Sequence, residues 1–273
     1  MDPPLLKTIY KKERIPMKKR FAVLTAAFTA VLLWGCAPQE EPPIAQTRVT
    51  IPPAETTVSA AQPEVDSPAG SAFQRALKTI HEELRWPDMP NGEAIALWEP
   101  GTIEDEQFAI LDVDGDGEQE LLVCVANTYM AGMREVVYGY DAASDGLRVE
   151  AEAFPGAIYY PGMMKVLSSH NQGHAGDVLW PYTVMLYHET EDAYRDAYYV
   201  DAWSREISET DFEGNPYPED VDVDADGYVY LITEGDETRI LNRADYERWE
   251  TGLLADREAI SIPWQKLTME NIG

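Results

Sequence analysis

The chain has 273 residues, 45% of them hydrophobic, which is enough to bury one sizeable core or two small ones and too apolar for wholesale disorder. Its 49 Asp and Glu stand against 21 Lys and Arg, a formal charge of −28. Such a surface repels phosphate backbones and attracts divalent cations, so nucleic-acid binding is excluded, although acidity also serves solubility and alone names no ligand.

The N-terminal region departs from that balance. Seven of the basic residues but only Asp2 and Glu13 among the acidic ones precede Cys36, leaving 47 acidic against 14 basic residues in the rest. Met17-Lys18-Lys19-Arg20 forms a positive cluster, and Phe21–Leu33 is an apolar run of thirteen residues. That anatomy predicts an export signal, because a bilayer-spanning helix needs about 20 residues. Residues 1–16 lie outside the pattern, which makes Met17 the expected start. Leu33-Trp34-Gly35-Cys36 resembles a bacterial lipobox, with Leu three places before the cysteine and Gly directly before it. Trp34 stands where that family usually has a small residue. The resemblance implies diacylation of Cys36, and hence an outward-facing lipoprotein held in the cell membrane. Two acyl chains give stable attachment, at roughly 0.8 kcal/mol per buried methylene. Residues 37–70 contain seven prolines among Ala, Thr, Glu and Gln. This composition predicts a disordered tether. The expected organisation is thus a signal segment over 1–35, a tether over 36–70 and a single β-rich domain over 71–273.

Within that domain, Ser71-Ala72-Phe73-Gln74 has the pattern of a capping box, and Phe73, Leu77, Ile80 and Leu84 recur at helical spacing up to Trp86-Pro87. Strands are expected at Phe108–Leu111, Glu120–Ala126, Glu135–Tyr140, Leu147–Ala153, Met164–Ser168, Thr183–His188, Ala197–Trp203, Tyr228–Thr233 and Thr238–Leu241, separated by Gly, Pro and Asp turn signals. Cys124, within Leu121–Ala126, reads as an apolar filler of a buried strand rather than half of a disulfide. A helix over Arg243–Leu254 follows Asn242 as its cap. The expected class is α+β, mainly β, with antiparallel sheet flanked by an N-terminal and a C-terminal helix.

The sharpest chemical signal is Asp112-Val113-Asp114-Gly115-Asp116-Gly117-Glu118-Gln119-Glu120. Asp112, Asp114 and Asp116 occupy loop positions 1, 3 and 5, Gly117 permits a sharp turn at position 6, Glu118 offers its carbonyl at position 7, and Glu120 closes at position 9. Hard oxygens at that spacing suit Ca2+, which takes six to eight of them. The loop resembles the EF-hand and the calcium loops of FG-GAP and VCBS repeats. Position 12 is Val123 rather than the bidentate Glu of an EF-hand, and the flanks read as strands. The strand–loop–strand version is therefore expected, with a weak affinity on the order of 10⁻⁴–10⁻³ M. Asp222, Asp224 and Asp226 repeat the pattern, with the carbonyl of Tyr228 at position 7. There the alternation of Val221, Val223 and Ala225 suits a strand ending in an Asp226-Gly227 turn equally well.

Other constellations carry less. His170 and His174 have the spacing of paired metal ligands on a helix, but Gly173 argues against the helix. No Gly-x-Ser-x-Gly elbow occurs, and the glycines at 115, 117, 173 and 176 form no phosphate cradle, so no nucleotide partner is expected. Tyr159, Tyr160, Trp180, Tyr182, Tyr187, Tyr198, Tyr199 and Trp203 include candidates for a sugar-stacking platform. Over most of its length the chain resembles uncharacterised lipoproteins of Gram-positive gut-type bacteria, through Glu120-Leu121, Trp180-Pro181-Tyr182 and Ile262-Pro263-Trp264. That resemblance implies no activity. The reading favours a non-enzymatic, calcium-binding envelope lipoprotein, whose partner is an envelope protein or a glycan. The alternatives are an exported hydrolase using the His170–Asp177 loop and a glycan-binding module.

Overall fold

The computed structural model describes residues 67–87, 93–169, 175, 178–211, 213–255 and 257–273. The segments expected to be an export signal and a tether, with Cys36 between them, lie outside the described residues, apart from residues 67–70, which cap and enter the first helix.

That helix, α1 (Pro68–Glu83), begins three residues before the expected capping box. Ser67 is its cap, accepting the Gly70 N–H at 2.9 Å, and Pro68 fits the first turn, where no intrahelical N–H is needed. Phe73, Leu77 and Ile80 are buried as the spacing requires. Leu84 is not part of that face: it ends the helix in the left-handed conformation, φ 52°, and is exposed.

Two antiparallel sheets follow. The first has the order β11-β1-β2-β3-β4 and is built from β1 (Gln107–Leu111), β2 (Glu120–Val125), β3 (Arg134–Asp141), β4 (Gly146–Ala153) and, at its edge, β11 (Gln265–Lys266). The second is a six-stranded meander of β5 (Ile158–Tyr160), β6 (Met163–Leu167), β7 (Tyr182–His188), β8 (Ala193–Ser204), β9 (Tyr228–Glu234) and β10 (Glu237–Leu241). The class is α+β and mainly β, as predicted.

Side-chain parity places four layers in order. Phe108, Ile110, Leu121, Val123, Val136 and Tyr138 meet α1 on one face of the first sheet. The intervening Ala109, Leu111, Leu122 and Val137 meet Tyr159, Met164 and Tyr194 of the second sheet. The far face of the second sheet, with Val184, Val200, Tyr230 and Ile232, is covered by α2 (Arg243–Leu254) through Tyr246, Trp249 and Leu253. Asn242 caps α2 as expected, accepting the Asp245 N–H at 2.9 Å. A short α3 (Met269–Ile272) closes on α1, where Ile272 joins the same apolar cluster. Strands buried on both faces read as continuous apolar runs, and that is why β1 and β2 carry so few polar residues.

Both sheets contain a bulge. The pairs Val137↔Ala151 and Tyr138↔Val149 leave Glu150 as the extra residue of β4. Leu147 and Val149 face α1, whereas Ala151 and Ala153 face the second sheet, so the strand changes parity at Glu150. Likewise Val184↔Tyr198 and Met185↔Asp196 leave Ala197 as the extra residue of β8.

Candidate metal centre

The β1–β2 connection is the predicted Asp-rich loop. Leu111 pairs with Glu120 at its mouth, and cross-strand partners share a face, so Glu120 points with Leu111 and Leu122 toward the second sheet. Val113, fully buried, pins the loop into the inter-sheet core. The aspartates then organise the backbone. Asp112 accepts the N–H groups of Gly115 (2.7 Å) and Gly117 (3.1 Å), Asp114 that of Asp116 (3.0 Å), and Asp116 that of Glu118 (2.7 Å). Glu120 accepts the Val113 N–H at 2.8 Å. Gly115 and Gly117 have φ values of 88° and 96°, a region that only glycine enters without cost, while a Cβ at either would meet nothing within 4 Å. The glycines are needed for conformation, not for room.

These turns bring ligand atoms of Asp112, Asp114 and Glu120 to within 4.8 Å of one another. Asp114 and Glu120 are buried, at 6% and 2% exposure, and Asp112 is exposed. Among the described residues, Asp114 Oδ2 is buried with no hydrogen-bond partner. Asp116 does not join this triplet. It gathers instead with Asp114 and with Asp192 of the β7–β8 turn. Glu118 is exposed, with its backbone N–H turned to Asp116.

Burial dominates the electrostatics. Desolvation raises Asp114 to about 6, assisted by the charges of Asp116 and Asp112 and opposed by the Asp116 N–H. It raises Glu120 to about 9, against the Val113 hydrogen bond and with the help of Asp114 and Glu150. Glu150, 3% exposed, is raised to about 8 by desolvation, with Arg148 opposing and Asp192 and Asp114 adding to the shift. Glu150 follows Arg148 onto the inter-sheet face by the alternation of the strand, and the bulge then turns Ala151 to the same side. Gly139 on β3 makes the space: a Cβ there would lie 1.8 Å from Glu150 Oε1.

Two tyrosines of the second sheet complete the surroundings. Tyr187 and Tyr194 are cross-strand partners with ring centroids 5.5 Å apart. The Tyr187 hydroxyl lies 2.7 Å from Asp192 Oδ1 and 3.2 Å from Asp116 Oδ2, and the Tyr194 hydroxyl donates to the Val113 carbonyl at 3.4 Å. Arg148 contacts Asp192 and, at 2.9 Å, Glu150 Oε1. Asp192, Glu150, Arg148 and the tyrosines were missing from the sequence-predicted site. They belong to strands and turns distant in the chain, and only the sheet pairing brings them to the loop.

The second Asp-rich loop differs. Asp222, Asp224 and Asp226 also place ligand atoms within 4.8 Å, and Asp222 accepts the N–H groups of Asp226 (3.2 Å) and Gly227 (3.0 Å). No strand runs through Val221–Ala225: the segment is turn, Val223 is 74% exposed, and β9 begins at Tyr228. Here a protein cation is already in place, because Arg243 pairs with Asp226 at 2.6 Å. Tyr228 donates its N–H to Asp226 at 2.8 Å.

Of the loop Ser168–Asp177, only Ser168, Ser169 and Ala175 are described; His170, His174 and Asp177 lie outside. Among the aromatics proposed as a platform, Tyr159, Tyr182 and Trp203 are buried core and Trp180 is exposed. A different pair, Trp98 and Tyr129, is both exposed and in contact, with centroids 4.8 Å apart. Cys124 is a free thiol, which burial pushes up to about 12, so it is inert as a nucleophile. Comparison with protein-family models, curated proteins and solved structures found no match.

Proposed function

We propose that the chain is a lipid-anchored, outward-facing envelope protein with a non-enzymatic binding or structural role, whose β-rich domain is stabilised by calcium at the β1–β2 loop. The observation that carries the calcium reading is Asp114. Its carboxylate is buried, one oxygen lacks a donor, and Asp112 and Glu120 converge on the same centre. Buried, unpaired carboxylate oxygen is costly, and a hard dication is the ligand that offsets it. The charged cluster, apolar run and Cys36 support export and anchoring, and residues 37–70 supply the reach. A partner in this reading is an envelope protein or a glycan. The exposed Trp98–Tyr129 pair is the part of the described surface suited to a sugar ring.

Thermal unfolding of the full chain, in chelator and in millimolar calcium, tests the proposal. Linkage stabilises the domain by RT ln(1 + [L]/Kd), about 0.4 kcal/mol where calcium equals Kd and about 1.4 kcal/mol at a tenfold excess, the range that millimolar calcium spans at the expected affinity. The wild-type protein should melt several degrees higher with calcium, and Asp114→Asn should lose the difference. A melting temperature indifferent to both additions ends the calcium reading.

A further inference from the structure

The second sheet extends beyond what the first sheet covers. On β8 the bulge at Ala197 sets Tyr199, Asp201 and Trp203 on the face that carries Tyr194, opposite Tyr198, Val200 and Ala202, which meet α2. Their ladder partners on β9 are Thr233, Leu231 and Val229, and Thr238 of β10 pairs in turn with Thr233. Among the described residues, the apolar cluster between the sheets takes nothing from β9 or β10. Tyr217, from the β8–β9 connection, covers one end of this uncovered face, its ring meeting Trp203 edge-on with centroids 5.2 Å apart. The remainder is a cavity of about 180 Å³. Pockets for drug-sized ligands run to roughly 300–1,000 Å³, so a guest here must be small.

The walls narrow its chemistry. Tyr199, Trp203 and Leu231 supply aromatic and aliphatic surface. Trp203 already donates its indole N–H to the Ser208 carbonyl at 2.8 Å, and the Thr233 and Thr238 hydroxyls lie 2.9 Å apart and bond each other. Two carboxylates, Asp201 and Asp211, complete the lining, and among the described residues no Lys, Arg or His shares it. Asp201 is 8% exposed and accepts the Ala202 N–H through Oδ1 at 2.7 Å. Asp211 is fixed by its own turn, accepting the Asn215 side chain at 2.7 Å and the N–H groups of Glu213 and Asn215. The Asn215 side chain above all holds it below the usual carboxylate range, so it stays charged. An anion is repelled by this lining, and a wholly apolar guest would lie against carboxylate without compensating it. A bare metal ion gains nothing from the aromatic wall. An organic ammonium satisfies both halves, since its charge is attracted by carboxylates and by aromatic faces alike.

We infer that this cavity binds a small organic ammonium, with the cationic end toward Asp201 and Asp211 and a short apolar body against Tyr199, Trp203 and Leu231. The site lies on the half of β8 away from the β7–β8 turn and stands independently of the calcium reading.

Titration of the full chain with n-butylammonium chloride tests it, in chelator and at constant ionic strength made up with sodium chloride. The Trp203 indole N–H resonance, assigned through Trp203→Phe, reports occupancy, and n-butanol serves as the uncharged counterpart. Butylammonium should shift that resonance saturably, and butanol should bind severalfold more weakly. Asp201→Asn, which keeps an oxygen for the Ala202 N–H, should weaken butylammonium binding severalfold. Thr238→Phe fills the cavity from an exposed position on the edge strand, so it should abolish binding even if Asp201→Asn fails to fold. No saturable shift with butylammonium overturns the proposal. Equal affinity for butanol overturns it too, leaving a merely apolar cavity. Wild-type affinity in a folded Asp201→Asn or in Thr238→Phe does the same, and places the cation elsewhere on the acidic surface.

Discussion

Asp114, Glu120 and Glu150 are acids that the fold holds out of water, and their titration follows from that. Each folded-state value, about 6, about 9 and about 8, lies above the ordinary 3.8 or 4.5. Without metal the native state therefore binds more protons than the unfolded chain does across this window. Stability then falls as pH rises, since its slope has the sign of protons bound unfolded minus protons bound native. Burial also raises Glu106, which accepts the Ala126 and Asn127 N–H groups, and Glu135, which accepts the Tyr159 hydroxyl, so both add to the same slope. In chelator, the melting temperature should fall steadily between about pH 5 and pH 9. Glu120→Gln should flatten the upper part of that fall, because an amide needs no proton to remain neutral. On the proposed calcium reading the ion takes the charged form, so the stabilisation it adds should grow over the same range. A chelated protein that gains stability toward pH 9 would show that these carboxylates are hydrated after all.

At the scale of strands, Glu150 stands at the β4 bulge on the inter-sheet face, where Gly139 of β3 leaves it room. Gly139 pairs across the ladder with Arg148, and Glu150 Oε1 lies where a Cβ at Gly139 would stand, so the two are coupled by lack of room. Gly139→Ala drives a methyl group into Glu150 Oε1 and against Arg148 Nη2, and overpacking of this kind costs about 1–3 kcal/mol. Urea unfolding should show that loss, and Glu150→Ala in the same chain should recover part of it, a non-additivity expected of residues in contact. Equal midpoints for Gly139→Ala and the wild-type protein would contradict the placement of Glu150. This bulge also marks where the sequence stops being legible. Nine strands and the Asn242-capped helix were readable, because apolar periodicity and Gly, Pro and Asp turns mark them locally. The first four residues of β8 were missed, as Arg195 and Asp196 look solvated and the extra residue Ala197 breaks the alternation. Short β5 and β11 gave too little pattern to find. For the candidate site, the convergence of Asp112, Asp114 and Glu120 was legible from spacing within one loop, and Asp116 keeps Asp114 as a neighbour but gathers with Asp192 rather than with Asp112 and Glu120. Asp192 and Glu150 gave no signal, because a turn Asp and an alternating strand Glu are ordinarily solvent-facing.

For the molecule as a whole, the formal charge of −28 repels itself in every compact state, so any cation stabilises the fold to some degree by screening. A specific site must be separated from that background. Screening depends on ionic strength and acts on exposed charge, with a Debye length of about 10 Å at 0.1 M falling to about 3 Å at 1 M. The half-exposed Asp222–Asp226 loop, already paired with Arg243, belongs to the screened class. Asp114 and Glu120, inside the sandwich, do not. Sodium chloride alone should therefore raise the melting temperature of the chelated protein toward a plateau. Calcium added at about 0.5 M sodium chloride, where surface repulsion is largely gone, should still raise it further, and Asp114→Asn should show the salt effect without the calcium increment. If calcium adds nothing beyond what matched ionic strength provides, the acidic surface accounts for all of its effect and the inter-sheet carboxylates hold protons rather than metal.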